Sequence, residues 1–331
     1  GKFAINFARI YKGEPIATVA GSGLVVGPME AALVNGILAH SDETDDTHPL
    51  SLSHPGAAVV PAALAAGERF NVDGTRFLHA VVLGYDIGPR FTATLGRQQY
   101  QTTTSRSTHA LAGNFGAAAA AGCCANLTAQ QMRWLLSYAA QQGSGIASWQ
   151  RDTDHIEKGF DFAGMPARNG VTAALLVQAG GTGVDDVLSG ADNFFQAFKP
   201  LNDPSTVIEA LGERYEVMRT DIKKWTVGSP VQAPLDALSN LMQQHRFNGD
   251  AVQKVVVTVG AREASVVNAR DLADISAQHL LAVMLVDGTV TFKSSHDASR
   301  MRDPAVLRQR AKISLVGDVE LEKLLPRRVG I

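Results

Sequence analysis

The segment His40-Ser41-Asp42-Glu43-Thr44-Asp45-Asp46-Thr47-His48 places four carboxylates and two histidines in nine residues. His54-Pro55 follows at the mouth of an apolar run. Carboxylates set beside imidazoles pull each other's pKa values apart, which is what proton transfer to and from a substrate requires. The competing reading is a solvated loop whose aspartates cap helices, because charge clusters also arise structurally. A divalent metal is a further use for closely spaced His and Asp. The HExxH and DxDxDG ligand spacings are absent, so no metal is expected.

Four more places carry chemistry-bearing residues. His109 ends the run Thr103-Thr104-Ser105-Arg106-Ser107-Thr108 and stands before an Ala-rich stretch. Hydroxyls and an arginine ahead of a helix N-terminus suit an anion, or serve simply as a cap. Lys158 lies in Lys158-Gly159-Phe160-Asp161-Phe162-Ala163-Gly164-Met165-Pro166-Ala167-Arg168-Asn169-Gly170. Two glycines and two phenylalanines around it suggest a lysine held in a tight, partly apolar loop, where water screens it poorly and it binds anions strongly. The plainer alternative is a surface lysine with its stem packed on phenylalanine. Lys223-Lys224-Trp225 offers the same choice. His279 sits in an apolar helical stretch, where a satisfied core histidine is the ordinary case.

These residues need elements to position them. Pro28 opens a helix running toward His40. Residues 56–69 form an Ala/Val-rich run, and Asp73 caps a helix from about Thr75 to Leu95 with Phe77, Val81, Val82 and Tyr85 at helical spacing. Residues 116–121 are one glycine and five alanines, suited to close helix contact. Thr128 with Gln131 is a capping-box pattern for a helix ending near Gly143. A helix over 166–178 closes at Gly180-Gly181, and Ser229-Pro230 opens another that reaches His245. Residues 254–260 are strand-like, as are 289–292 and 312–316, with helices over 276–286 and after Asp303-Pro304. The expected architecture is mainly α: a large all-helical domain over 1–225 and a smaller α/β domain over 226–331.

Composition narrows the function classes. The chain has 331 residues, 45% hydrophobic and 19% charged, which supports a sizeable core rather than disorder. A net charge of −2 gives no pull toward nucleic acid or an anionic membrane. No apolar run reaches the roughly 20 residues of a membrane span. The two cysteines, Cys123 and Cys124, are adjacent, which argues against a disulfide between them and fits a cytoplasmic setting, or a mitochondrial matrix in a eukaryote. Gly21-Ser22-Gly23 lacks the strand–turn–helix context of a dinucleotide site.

Taken together, the segments resemble the MmgE/PrpD family, which includes 2-methylcitrate dehydratases, cis-aconitate decarboxylases and iminodisuccinate epimerases. The matching pieces are Ala32-Leu33-Val34-Asn35-Gly36 through His40, Asp45-Asp46-Thr47-His48, His54-Pro55, Phe115-Gly116-Ala117-Ala118-Ala119-Ala120, Gly164-Met165-Pro166-Ala167-Arg168-Asn169-Gly170, and Gln278-His279 before Val286-Asp287-Gly288. They run in order along nearly the whole chain. The resemblance implies a homodimer without metal or organic cofactor, acting on a small di- or tricarboxylate. It also implies further helices before Gly1 and further sheet residues after Ile331. By position, Asp45, Thr47 and His54 fall in the family's active-site loop, and Lys158 matches its substrate-binding lysine. Lys223 matches a second lysine, His279 a position facing the site from the small domain, and His109, across a gap, a histidine before the Ala-rich helix. Arg168 is a further candidate carboxylate anchor. Glu43 stands where cis-aconitate decarboxylases have Asp, Gly228 near their His, and His279 where they carry Tyr.

The expectation that follows is a cofactor-independent lyase, foremost a dehydratase of 2-methylcitrate or a related hydroxy-polycarboxylate in propionate catabolism. His54 acts as one proton-transfer group with Asp45 and Thr47 orienting it. Decarboxylation of cis-aconitate, epimerisation of a dicarboxylate, and a non-catalytic carboxylate-binding paralogue are the alternatives.

Overall fold

The computed structural model describes residues 1–154, 156–324 and 327–331. The chain divides into two compact units, one of residues 1–41 and 45–222, the other of residues 42–44 and 223–331.

The first unit is built on helices α1 (Lys2–Ile10), α2 (Pro28–His40), α3 (Pro55–Phe70), α4 (Gly74–Leu95), α5 (Arg97–Thr104), α6 (Thr108–Cys124), α7 (Ala129–Gln141), α8 (Ile156–Gly159), α9 (Met165–Gln178) and α10 (Phe194–Phe198). Helix α6 is its axis and is buried almost all round. Small residues make that possible, because backbones can then approach where a Cβ would collide. A Cβ at Gly88 of α4 would lie 2.3 Å from Ala112 O, and one at Gly170 of α9 would lie 2.4 Å from Ala117 C. Local signals set the helix starts as the sequence predicts. Asp73 accepts from Arg76 N at 2.8 Å, and the Thr128/Gln131 capping box is formed in both directions. Alongside the helices the unit carries a small antiparallel hairpin, β1 (Ala17–Val19) with β2 (Leu24–Val26), in register Ala17↔Val26. Gly21 and Gly23, both at positive φ, supply its turn.

The segment around Lys158 is not the tight loop expected. It is continuously helical, α8 passing into one π-helical stretch (Phe160–Gly164) and then α9. Gly164 meets a close neighbour rather than breaking the helix: a Cβ there would lie 2.8 Å from Leu33 O of α2. A π stretch inserts an extra residue per turn and re-aims the side chains that follow, and it is common at functional sites.

The second unit holds α11 (Gln232–His245), β3 (Val255–Gly260), α12 (Ala261–Val267), α13 (Ala277–Asp287), α14 (Phe292–His296), α15 (Pro304–Arg310) and β4 (Ile313–Asp318). Strands β3 and β4 pair in parallel, Val255 opposite Ile313, with α12 to α15 in the connection between them. Its core includes Val257, Leu280, Leu281, Met284 and Val306. The strand expected over 289–292 is absent. Thr291 caps α14, its hydroxyl accepting from Ser294 N while Ser294 Oγ accepts from Thr291 N. That reciprocal cap commits the segment to a helix start despite its β-branched residues. Among the described residues no helix is long and apolar enough to cross a membrane.

Candidate active site

His40 is the last residue of α2 and His54 the residue before α3, so two helix ends bring two imidazoles to one place. The loop between them is not a solvated cap. Asp45 Oδ2 lies 2.6 Å from His40 Nδ1 and 3.6 Å from His54 Nδ1, and its side chain is 4% exposed. His54 Nδ1 donates to the backbone carbonyl of Asp46. A carbonyl only accepts, so the proton sits on Nδ1 and the basic lone pair of neutral His54 is on Nε2. Asp46 is itself held, accepting from Tyr85 OH and from Gly56 N. Burial and the adjacent Asp46 carboxylate raise the Tyr85 pKa, so its hydroxyl stays a donor.

A third imidazole comes from the first turn of α6. His109 stacks on Phe162 with centroids 3.8 Å apart and 11° between planes, and faces His54 at 5.3 Å and 18°. His40 and His54 also lie against Phe162, at 4.7 Å and 5.6 Å. Trp149 meets the same ring edge-on at 4.6 Å. Lys158 Nζ stands 5.2 Å from the Phe162 centroid, a cation held over a π face in a largely buried setting. Burial, with the nearby His54, His40 and Lys158, drives the His109 pKa well below the ordinary histidine value, so it is neutral at pH 7. Its Nδ1 is buried without a hydrogen-bond partner among the described residues.

The structure thus brings together Asp45, His54, His109 and Lys158 from the residues picked out in the sequence. Thr47 lies beside them in the chain, its backbone paired with Asp221 (Thr47 N to Asp221 O, 3.0 Å). Arg168 is half-buried on α9 and donates to Asn169 Oδ1 at 3.1 Å. Lys223 and His279 belong to the second unit. There Lys223 Nζ donates to Glu43 O at 2.7 Å and lies 3.6 Å from Glu43 Oε2. His279 is fully buried, with neither ring nitrogen hydrogen-bonded among the described residues, so it is not the satisfied core histidine that is the ordinary case.

Sequence reasoning singled out the segment holding His40 and Asp46 without giving either a catalytic or binding role, and it missed Tyr85, Trp149 and Phe162 as site residues. Phe162 is their centre; the sequence marks it only as one of two phenylalanines near Lys158, and nothing local tells which side chains will pack on its ring. His48, adjacent to the site in sequence, is fully buried and pairs with Glu216 at 3.0 Å, anchoring the 45–54 loop from below.

Residues 2–206 match the MmgE/PrpD N-terminal domain and residues 225–331 the MmgE/PrpD C-terminal domain. The chain is 26% identical to a cis-aconitate decarboxylase of Aspergillus terreus over 299 residues, 81% of this chain and 59% of that protein. It is 27% identical over 266 residues to a cis-aconitate decarboxylase-like protein of Aspergillus oryzae, 74% of this chain and 53% of that one. With the cis-aconitate decarboxylase of Homo sapiens it shares 25% identity over 332 residues, 94% of this chain and 66% of the human protein. It therefore spans somewhat over half the length of the fungal relatives. With both domain models matched in order across nearly all of its residues, the chain belongs to the MmgE/PrpD family.

Proposed function

We propose that the protein is a lyase acting on a small di- or tricarboxylate, in which proton transfer at a carbon beside a carboxylate is done by imidazole. The observation that carries this reading is the buried group of His40, His54 and His109 around Phe162, with Asp45 on one side and Lys158 over the ring. Lys158 anchors a substrate carboxylate in surroundings where water screens it poorly. Neutralising that carboxylate raises the acidity of the neighbouring C–H by stabilising the charge that develops there. His54 exposes its basic nitrogen as Nε2, with Nδ1 tied to the Asp46 carbonyl and Asp45 near enough to stabilise the imidazolium formed. Neutral His109, stacked beside it, is the second proton-transfer group.

Two eliminations fit this arrangement. Dehydration of 2-methylcitrate or a similar hydroxy acid needs one group to take the proton and another to protonate the departing hydroxyl, and two imidazoles supply both. Decarboxylation of cis-aconitate needs an anchored polycarboxylate and a proton donor to the allylic carbanion left when CO2 departs. The names of the relatives favour this second elimination. Incubation with 2-methylcitrate, citrate and cis-aconitate, following enoate absorbance and released CO2, separates them. Turnover of none of the three by folded protein sinks the lyase reading. A melting-temperature rise with these acids in the same experiment would then point to a carboxylate-binding paralogue.

A further inference from the structure

Asp161 takes no part in the chemistry above, yet it sits between Lys158 and Phe162 in the π-helical stretch and is 5% exposed. Its Oδ2 accepts from Ser107 Oγ at 2.5 Å, and its carboxylate accepts the backbone N–H of Ile146. Ser107 is the N-cap of α6. Its Oγ accepts from Ala110 N at 3.2 Å and its carbonyl from Leu111 N. A serine hydroxyl has one proton and two lone pairs. Donating that proton to Asp161 turns a lone pair toward the helix, so the carboxylate sets the orientation in which the cap works. His109 is the second residue of the helix so capped.

Two more contacts close the arrangement. Ser107 N donates to Gly145 O at 3.1 Å. Gly145 has φ +97°, and a Cβ there would stand 2.7 Å from Asp161 Oδ1 and 2.5 Å from Ala110 Cβ. Only glycine lets the chain pass so close to the carboxylate.

We propose that Asp161 is a positioning residue that acts through Ser107 to fix the first turn of α6 and so the setting of His109 against Phe162. The inference rests on the lyase reading above for its functional consequence. Burial lifts the Asp161 pKa to about 7, so the fold keeps a carboxyl where ionisation is costly, which is consistent with a retained purpose rather than incidental packing.

A double-mutant cycle tests it. Asp161→Leu, which leaves no acceptor for the Ser107 hydroxyl, is expected to lower kcat on the accepted polycarboxylate by about ten-fold or more while KM changes by less than about three-fold, since small misplacements of a reacting group cost rate before binding. In a His109→Ala background the same change is expected to cost less than about two-fold, because the two residues act as one unit. Independent, multiplying losses overturn the proposal. A readout that needs no substrate runs beside it: the His109 ring Hε1 signal, assigned by its loss in His109→Ala, is expected to shift in Asp161→Leu. An unmoved signal overturns the proposal even if the lyase reading stands. If no polycarboxylate is turned over by the wild-type protein, the lyase reading falls while the ring signal still decides the positioning role. Should Asp161→Leu fail to fold, Ser107→Ala cuts the same link from the donor side and is judged by the same two readouts.

Discussion

Among single residues, hydrogen-bond direction divides the histidines by role. His54 has a carbonyl on Nδ1 and offers Nε2, whereas His40 has its Nδ1 against the Asp45 carboxylate and is better placed to hold that carboxylate than to meet substrate. His54→Gln is accordingly expected to lower kcat by about 10²–10⁴-fold, the range for loss of an acid–base group, with KM little altered. Steady-state kinetics of the purified variant check this, and a kcat within about three-fold of wild type would remove His54 from the mechanism. Lys158→Met is expected to act on the other parameter. It keeps the stem that packs on Phe162 and removes the charge, so KM should rise by about ten-fold or more, as expected for loss of a charge-assisted contact. A KM that stays at the wild-type value would place the substrate carboxylate elsewhere.

At the level of elements, the site depends on how closely α2, α6 and α9 approach. Gly170 sets α9 against α6, where an added methyl would meet the backbone at Ala117. Gly170→Ala is expected to destabilise the fold by about 1–3 kcal/mol through overpacking, read as a lowered midpoint in denaturant with an unchanged slope. The cap of α6 is the second such device. Ser107→Ala leaves the Ala110 N–H without its side-chain acceptor, with an expected loss of about 1 kcal/mol, measurable in the same experiment.

For the whole molecule, buried ionisable groups set how stability varies with pH, and they act in different windows. Burial raises Asp161 to about 7. Its contribution is full below the ordinary aspartate value and is lost as pH rises through about 7. Burial, with Arg310 and Arg300 nearby, lowers His279 to about 4. Its contribution is full above the ordinary histidine value and is lost as pH falls toward about 4, because the unfolded chain binds the proton first. Burial pushes Glu216 upward, but hydrogen bonds from His48 and Arg214 outweigh it and bring Glu216 to about 2. That contribution persists until strongly acid pH. His279→Leu should therefore raise the melting temperature more at pH 5 than at pH 8. Equal shifts at both pH values would show that His279 does not titrate in this way. Asp161→Asn should show the opposite bias, with its larger gain at pH 8.

Features that depend on neighbours in the chain were legible in the sequence. The helix starts at Pro28, Asp73 and Thr128 follow from caps and fixed backbone angles within a few residues. The strands at 255–260 and 313–318 follow from β-branched composition, and the order of short motifs carries the family. Asp45, His54, His109 and Lys158 were picked out because acids, imidazoles and a lysine among aromatics have recognisable chemistry. The β1–β2 hairpin was missed because its strands are only three residues each, and 289–292 misled because a Thr291–Ser294 cap outweighs β propensity. What only the tertiary structure decided is which side chains meet. Phe162 at the centre of three imidazoles, Tyr85 on Asp46, Glu216 beneath His48 and Asp161 on Ser107 are partners separated by tens of residues or more. Burial and long-range packing select such pairs, and no local pattern encodes them.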